Sequence, residues 1–192
     1  MKEIIIATNN EGKVKEIKEI IKDIKVKSLK EEGIEIKVEE NEDTFEKNAL
    51  KKALEVSKLT KKTCIADDSG LCIKKLNGFP GTLTDRFLGE NATQEEKNNY
   101  ILEKMKKLTK EERKAEVITC IAIVYEDGNY DVLKGTLKGY IAQNKRGKNG
   151  FGFDEIFELE NGKTLAEITQ EEKNKISSRR KALDKLKDKI IF

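Results

Sequence analysis

Apolar residues along this chain recur with two periods, and the switch between them marks out its elements. Residues 3–8 read EIIIAT, an uninterrupted apolar run that predicts a buried strand. Val14, Ile17, Ile20, Ile21 and Ile24 follow at spacings of three and four, which predicts a helix. Ile34, Ile36 and Val38 alternate with charged residues and predict a half-buried strand. Asp43 with Glu46 three residues on resembles a capping box, and the helix it opens should reach about Leu59. Residues 63–66 predict a short strand ending on Asp67-Asp68-Ser69-Gly70, with residues 71–73 as a second. Asn77-Gly78-Phe79-Pro80-Gly81 must turn.

The second half continues the pattern. Thr93 and Glu96 form another capping box, and Ile101, Leu102, Met105 and Leu108 share one face of a helix over about residues 94–108. Residues 116–125 and 130–142 are rich in strand formers and are joined by Asp127-Gly128, a hairpin signal, so the expected sheet is mixed. Residues 143–152 form a basic, glycine-rich loop. A final helix should open near Thr169 and carry Ala182, Leu183, Leu186 and Ile190 toward its end. No repeat, linker or low-complexity stretch interrupts the 192 residues, which predicts a single α/β domain over 1–192.

Composition narrows the chemistry. Charged residues make up 39% of the chain against roughly 25% in an average domain, so the surface is densely ionic. The net charge is only +3 and the two signs are interspersed, which leaves no nucleic-acid footprint. No apolar run is long enough to span a membrane, and Met1-Lys2-Glu3 enters the first strand without a signal-peptide pattern. The expected location is the cytoplasm. Cys64, Cys72 and Cys120 include no C-x-x-C pair and the chain has no histidine, which argues against a structural zinc site. Any chemistry must therefore run on carboxylates, amines, hydroxyls and hard cations.

Several segments carry residues suited to such chemistry. Thr8-Asn9-Asn10-Glu11-Gly12-Lys13 lies between a strand and a helix, where amide groups and the helix dipole can receive phosphate. It is not a Walker A loop, because Ala7 stands where the first glycine belongs and Val14 follows Lys13. An ordinary turn fits it equally well. Asp67 and Asp68 pair two carboxylates at the end of a predicted strand, an arrangement suited to Mg²⁺, although an Asp-capped turn has the same sequence. Glu39 and Glu40 offer further ligands. Arginine is scarce, 5 against 34 lysines, and Arg86, Arg146, Arg179 and Arg180 fall in or beside these segments. Phe151-Gly152-Phe153-Asp154 could present a ring to a base or belong to a core. Lys173, Ser177, Ser178 and Arg179 place donors around the predicted last helix.

In order along the chain, ATNNEGK, ENEDTFEKNALKKA, IADDSGL, LNGFPGTLTDRFLGENAT, FGFDEIF and LAEITQEEKNKISSRRKAL resemble the inosine triphosphate pyrophosphatase family. Six ordered blocks cover essentially the whole chain. The resemblance implies an elongated mixed β-sheet flanked by helices, two lobes around a central nucleotide-binding cleft, and a homodimer. It also implies hydrolysis of non-canonical purine triphosphates (ITP, dITP, XTP) to monophosphate and pyrophosphate. Thr8, Asn9, Asn10, Glu11, Gly12 and Lys13 would hold the triphosphate, with Lys13 on the leaving pyrophosphate. Glu39 or Glu40, with Asp68, would serve Mg²⁺, and Asp68 would be the general base. Ser69, Phe151, Gly152, Phe153, Asp154, Lys173, Ser178 and Arg179 would contact the nucleotide. The chain departs from the family pattern at Ser178, where a histidine is usual, at Thr82-Leu83-Thr84-Asp85-Arg86, and at Phe153, where tyrosine is frequent. The alternatives are a Maf-like pyrophosphatase of other base specificity and a nucleotide-binding regulator without turnover.

Overall fold

The computed structural model describes residues 3–22 and 24–190, with the side chains of 188 and 190 left aside. Met1, Lys2 and the apolar side chain of Ile190 invoked above thus lie outside the described residues. Six strands form one sheet in the order β2-β1-β3-β4-β5-β6. These are β1 (Ile4–Ile6), β2 (Val26–Ser28), β3 (Cys64–Ile73), β4 (Lys114–Val124), β5 (Tyr130–Ile141) and β6 (Phe157–Glu158). The helices are α1 (Glu11–Ile20), α2 (Phe45–Thr60), α3 (Gln94–Met105), α4 (Gln170–Ile176) and α5 (Ser178–Ile190). The sheet is mixed as expected, since β1 runs parallel to both β2 and β3 while β5 and β6 are antiparallel.

The chain divides into two compact units, with the divisions falling inside β3, β4 and β5. The first comprises the stretch up to Ser69, Thr119–Gly135 and everything from Ser178 onward. Its core joins Ile4 and Ile6 of β1 to Ile17, Ile20 and Ile21 of α1 and to Leu183 and Leu186 of α5. Burying each such side chain contributes about 1.5–3 kcal/mol. The second unit is built from Gly70–Ile118 and Thr136–Ser177. Leu71, Ile73, Ile101, Met105, Ile141 and Phe157 are among its buried residues.

Several local expectations hold. Thr93 caps α3 with the predicted reciprocal bonds to Glu96, and Gly128 takes a positive φ in the turn between β4 and β5. Others need correction. Residues 34–38 form no strand, and β2 at Val26–Ser28 pairs with β1 in their place. Alternation there reflects partial burial alone, while Asn9 Nδ2 donates to the carbonyl of Ile36 at 2.8 Å. The N-cap of α2 is Thr44, whose hydroxyl accepts from the Lys47 amide; Asp43 pairs with the Lys47 side chain. The two predicted strands around Asp67 and Asp68 are one ten-residue strand, so the acidic pair lies mid-strand. The predicted final helix is two helices, because Ser177 has extended backbone (ψ 156°) between α4 and α5.

Candidate functional site

The first unit assembles charge around β3. Asp67 is fully buried, and its Oδ2 accepts from Arg179 Nη2 at 2.8 Å and from the Ser69 hydroxyl at 2.9 Å. Lys13 Nζ stands 3.4 Å from the same oxygen. Arg179 Nη1 reaches Glu16 of α1, which is itself buried. Burial opposes ionisation of Asp67, but the charges of Lys13, Arg179 and Lys52 prevail and hold it well below the usual carboxylate range. Burial likewise works against the Arg179 cation, and Asp67 and Glu16 more than offset it.

Asp68 points to a different environment. The strand alternation sends its side chain to the face opposite that of Asp67. There Oδ2 accepts from Asn48 Nδ2 at 3.0 Å, and Oδ1 accepts from the Ser69 amide at 3.0 Å. Lys52 Nζ, 4.0 Å from Oδ1, is paired with Glu40. Burial pushes Asp68 up to about 6, with Glu40 adding to the rise and Lys52, Lys13 and Asn48 opposing it. Two consecutive residues thus titrate in opposite directions. One is held charged between cations, and the other is poised to take up or release a proton near neutrality.

The phosphate-loop candidates divide by burial. Lys13 is buried, Thr8 and Gly12 are half-buried, and Asn9, Asn10 and Glu11 are exposed. Asn10 is the N-cap of α1, its side chain accepting from the Lys13 amide at 3.1 Å, and Thr8 Oγ1 accepts from the Asn10 amide at 3.2 Å. The loop is therefore set at a ten-residue helix N-terminus. A groove of about 1030 Å³ runs beside it, lined by Thr8, Asn9 and Val14 together with Ile34 and Ile36. Neither Asp67 nor Asp68 lines that groove. Glu39 is exposed and lies near Asn41, whereas Glu40 shares Lys52 with Asp68.

The second unit holds the remaining candidates in a small cradle. Asp154 is buried, and its Oδ2 accepts from Lys173 Nζ at 2.5 Å and from the Phe151 amide at 2.9 Å. Lys173 also sits 4.4 Å from the centre of the Phe151 ring, a cation–π arrangement. Gly150 has φ +76°, and a Cβ there would fall 2.0 Å from Asp154 Oδ2, so only glycine lets the loop close on this carboxylate. Phe153 packs with Phe79, Phe87 and Tyr100 against the second core, its ring stacked on Phe87 at 6.5 Å. It is half-buried at the edge of that core. Arg146 is taken up by Glu158, Glu167 and the Gly162 carbonyl, and Arg180 by Asp184. Of the four arginines singled out above, Arg179 alone joins the carboxylate pair.

Sequence reading passed over Glu16, Asn48, Lys52 and Thr119, all of them buried. A signal was present for three. Asn48 and Lys52 interrupt the apolar stripe Phe45, Ala49, Ala53, Val56 of α2, and Glu16 adjoins Ile17 and Ile20 on the buried face of α1. A polar side chain on an apolar face needs a partner, and here the partners are the site. Thr119, within a strand of mixed character, gave no such sign.

Comparison with known proteins matches residues 4–189 to the model of the Ham1 family. The chain belongs to the Ham1 family. Among its relatives, the dITP/XTP pyrophosphatase of Thermoanaerobacter sp. (strain X514) is 47% identical over 191 residues, covering 98% of this chain and 96% of the relative. The dITP/XTP pyrophosphatase of Bacillus subtilis (strain 168) is 45% identical over 189 residues, covering 97% and 96%. The solved Ham1 protein of Staphylococcus aureus superposes with a TM-score of 0.87 at 40% identity, covering 98% of both chains. That of Coxiella burnetii gives 0.88 at 36% identity, covering 99% of this chain and 98% of the other. The Ham1 fold is thus the α/β arrangement described above.

Proposed function

We propose that the chain hydrolyses non-canonical purine nucleoside triphosphates, ITP, dITP and XTP, to the monophosphate and pyrophosphate. One observation carries the reading: Asp68, a buried carboxyl raised to about 6, is oriented by Asn48 and sits one residue from the cation-holding Asp67. A general base works best with a pKa near the operating pH, and Asp68 has that character. In this reading Asp68 takes the proton of the attacking water at the α-phosphorus. Lys13, at the α1 N-terminus, steadies the leaving pyrophosphate. Asp154 and Lys173, with Phe151, hold the nucleotide. The names of the relatives support the substrate class.

The donor set suits Mg²⁺ of a particular kind. Among the described residues no group of three or more His, Cys, Asp or Glu side chains could cage a metal. Asp68 and Glu40 gather at Lys52, and a pair of carboxylates fits a cation that keeps several waters and takes phosphate oxygens from its substrate. Asp68 and Glu40, not the exposed Glu39, would hold it, and it would supply neutralisation of phosphate charge. We further place the activity in a cytoplasmic homodimer acting on a small molecule. Among the described residues no helix is long and apolar enough to cross a membrane.

The test is a panel of nucleoside triphosphates with Mg²⁺, assayed separately for pyrophosphate and orthophosphate. The reading expects pyrophosphate, with ITP, dITP and XTP ahead of ATP and GTP. Release of orthophosphate, or a preference for ATP, would contradict it. A regulator without turnover would bind these nucleotides and release neither product.

A further inference from the structure

Residues 34–38 alternate as extended chain does, yet pair with no strand. Ile34, Ile36 and Val38 are half-buried while Glu35 and Lys37 between them are exposed, the period of two of a strand laid along a surface. Backbone groups of extended chain alternate in the same way. The amide of Ile34 donates to the carbonyl of Leu29 at 2.9 Å, and the carbonyl of Ile36 accepts from Asn9 Nδ2 at 2.8 Å, so this side faces the protein. The N–H and C=O groups of Glu35 and Lys37 therefore face away from it, and among the described residues none of these groups has a hydrogen-bond partner. Neither side chain has an ion-pair partner there either. All five residues belong to the first unit.

An open edge of this kind is a template for another strand, and its sequence selects which. When two copies of Ile34-Glu35-Ile36-Lys37-Val38 run antiparallel about a two-fold axis at Ile36, Glu35 falls opposite Lys37 twice, Ile34 falls opposite Val38 twice, and Ile36 meets itself. Opposed residues in such a ladder alternate between pairs that exchange both backbone bonds and pairs that exchange none. Glu35 and Lys37, whose backbone groups are the ones turned outward, take the bonded positions, and Ile36 takes the unbonded one between them. The register that satisfies the backbone is thus the register that pairs opposite charges. Sliding one copy by two residues, the next register that uses the same groups, sets Glu35 against Glu35 or Lys37 against Lys37. We propose that residues 34–38 form an antiparallel strand pair with the same residues of a second copy of this chain. The pairing gives the homodimer proposed above a contact surface and rests on that part of the reading, while asking nothing of the nucleotide chemistry. With five residues a side against about 20–30 in a standard interface, the dimer should be in reversible equilibrium with monomer.

Sedimentation velocity over a range of concentrations gives the dimer Kd for wild type, Glu35→Lys, Lys37→Glu, the double Glu35→Lys/Lys37→Glu exchange and Lys37→Pro. Each single reversal turns both cross-strand charge pairs from attractive to repulsive and should raise Kd about tenfold. The double exchange restores opposite charges and should return Kd to within about threefold of wild type. Lys37→Pro removes an outward N–H from each copy and should raise Kd about tenfold or more. If Lys37→Pro fails to fold, the charge variants, all at exposed positions, decide. A wild type that sediments as a monomer throughout overturns both the homodimer and this surface. A dimer whose Kd moves less than about twofold in both single reversals overturns the surface and leaves the homodimer standing, and a double exchange no tighter than the single reversals overturns the pairing. None of these outcomes depends on whether a triphosphate is hydrolysed, so failure of the proposed reaction is read separately.

Discussion

The carboxylate cluster of the first unit and the cradle of the second contain the same kinds of residue in different states. Asp154 is bound by an ammonium group and a backbone amide on one oxygen, beneath a loop that only glycine can close. Such a group is committed to holding shape. In the first unit, Asp67 Oδ1 and Arg179 Nε are buried without a hydrogen-bond partner, and Asp68 carries a proton affinity far from its ordinary one. Buried groups left in that condition cost stability and are retained where chemistry needs them. On the proposed function, the difference separates the region assigned to the reaction from the region assigned to holding the nucleotide.

The comparison breaks most directly at Asp68. Asp68→Asn should reduce kcat by about 10² to 10⁴-fold, the usual worth of a general base, and a variant keeping a tenth of wild-type activity would place the base elsewhere. The same substitution should stabilise the fold at neutral pH. A carboxyl raised from 3.8 to about 6 opposes folding by about 3 kcal/mol once it is ionised. The sign is fixed by the raised value: the folded state holds the proton more tightly, so this contribution is favourable to wild type below about pH 4 and is lost as the pH climbs through 6. In protein without added divalent ion, Tm of Asp68→Asn minus that of wild type should therefore grow between pH 4 and pH 7. A difference constant across that range would remove the raised carboxyl from the account.

Asp67→Asn should act through stability. It leaves the buried Lys13 and Arg179 with less compensating charge, and breaking a buried pair typically costs about 3–5 kcal/mol. Chemical denaturation would show it, and a loss under about 1 kcal/mol would mean that Glu16 alone suffices for Arg179. A smaller effect is expected in the second unit. Asp154→Asn should raise KM about tenfold with kcat within about threefold, because the cradle binds without reacting; a fall confined to kcat would erase the distinction between the regions. Smallest of all, Lys47→Ala removes the exposed pair with Asp43 and should leave Tm and activity unchanged within error.

Much of this was legible in the sequence, for physical reasons that also explain the rest. The long α3 with its Thr93–Glu96 box and the Asp127-Gly128 turn are dictated by neighbouring residues, so local chemistry predicted them. Residues 34–38 have the right alternation for a strand but no strand to pair with, and pairing is decided by the rest of the chain. Asp67 and Asp68 were visible as a pair, yet their opposite behaviour depends on burial, on Arg179, more than a hundred positions from Asp67, which helps to lower that carboxyl, and on Glu40, which helps to raise Asp68. Lys13, Asp68, Lys173 and Arg179 stood out by type and place. Ser178 stood out as a departure, but the hydroxyl that engages it, Thr119, was visible only once β4 and α5 were folded.

The central claim is that water, deprotonated by Asp68, attacks the α-phosphorus and expels pyrophosphate. Turnover of ITP in H₂¹⁸O, with mass spectrometry of both products, tests it most directly. The account predicts one ¹⁸O in the monophosphate and none in the pyrophosphate, with the labelled product lost in Asp68→Asn. Label in the pyrophosphate, or labelled monophosphate formed at the wild-type rate by Asp68→Asn, would contradict it.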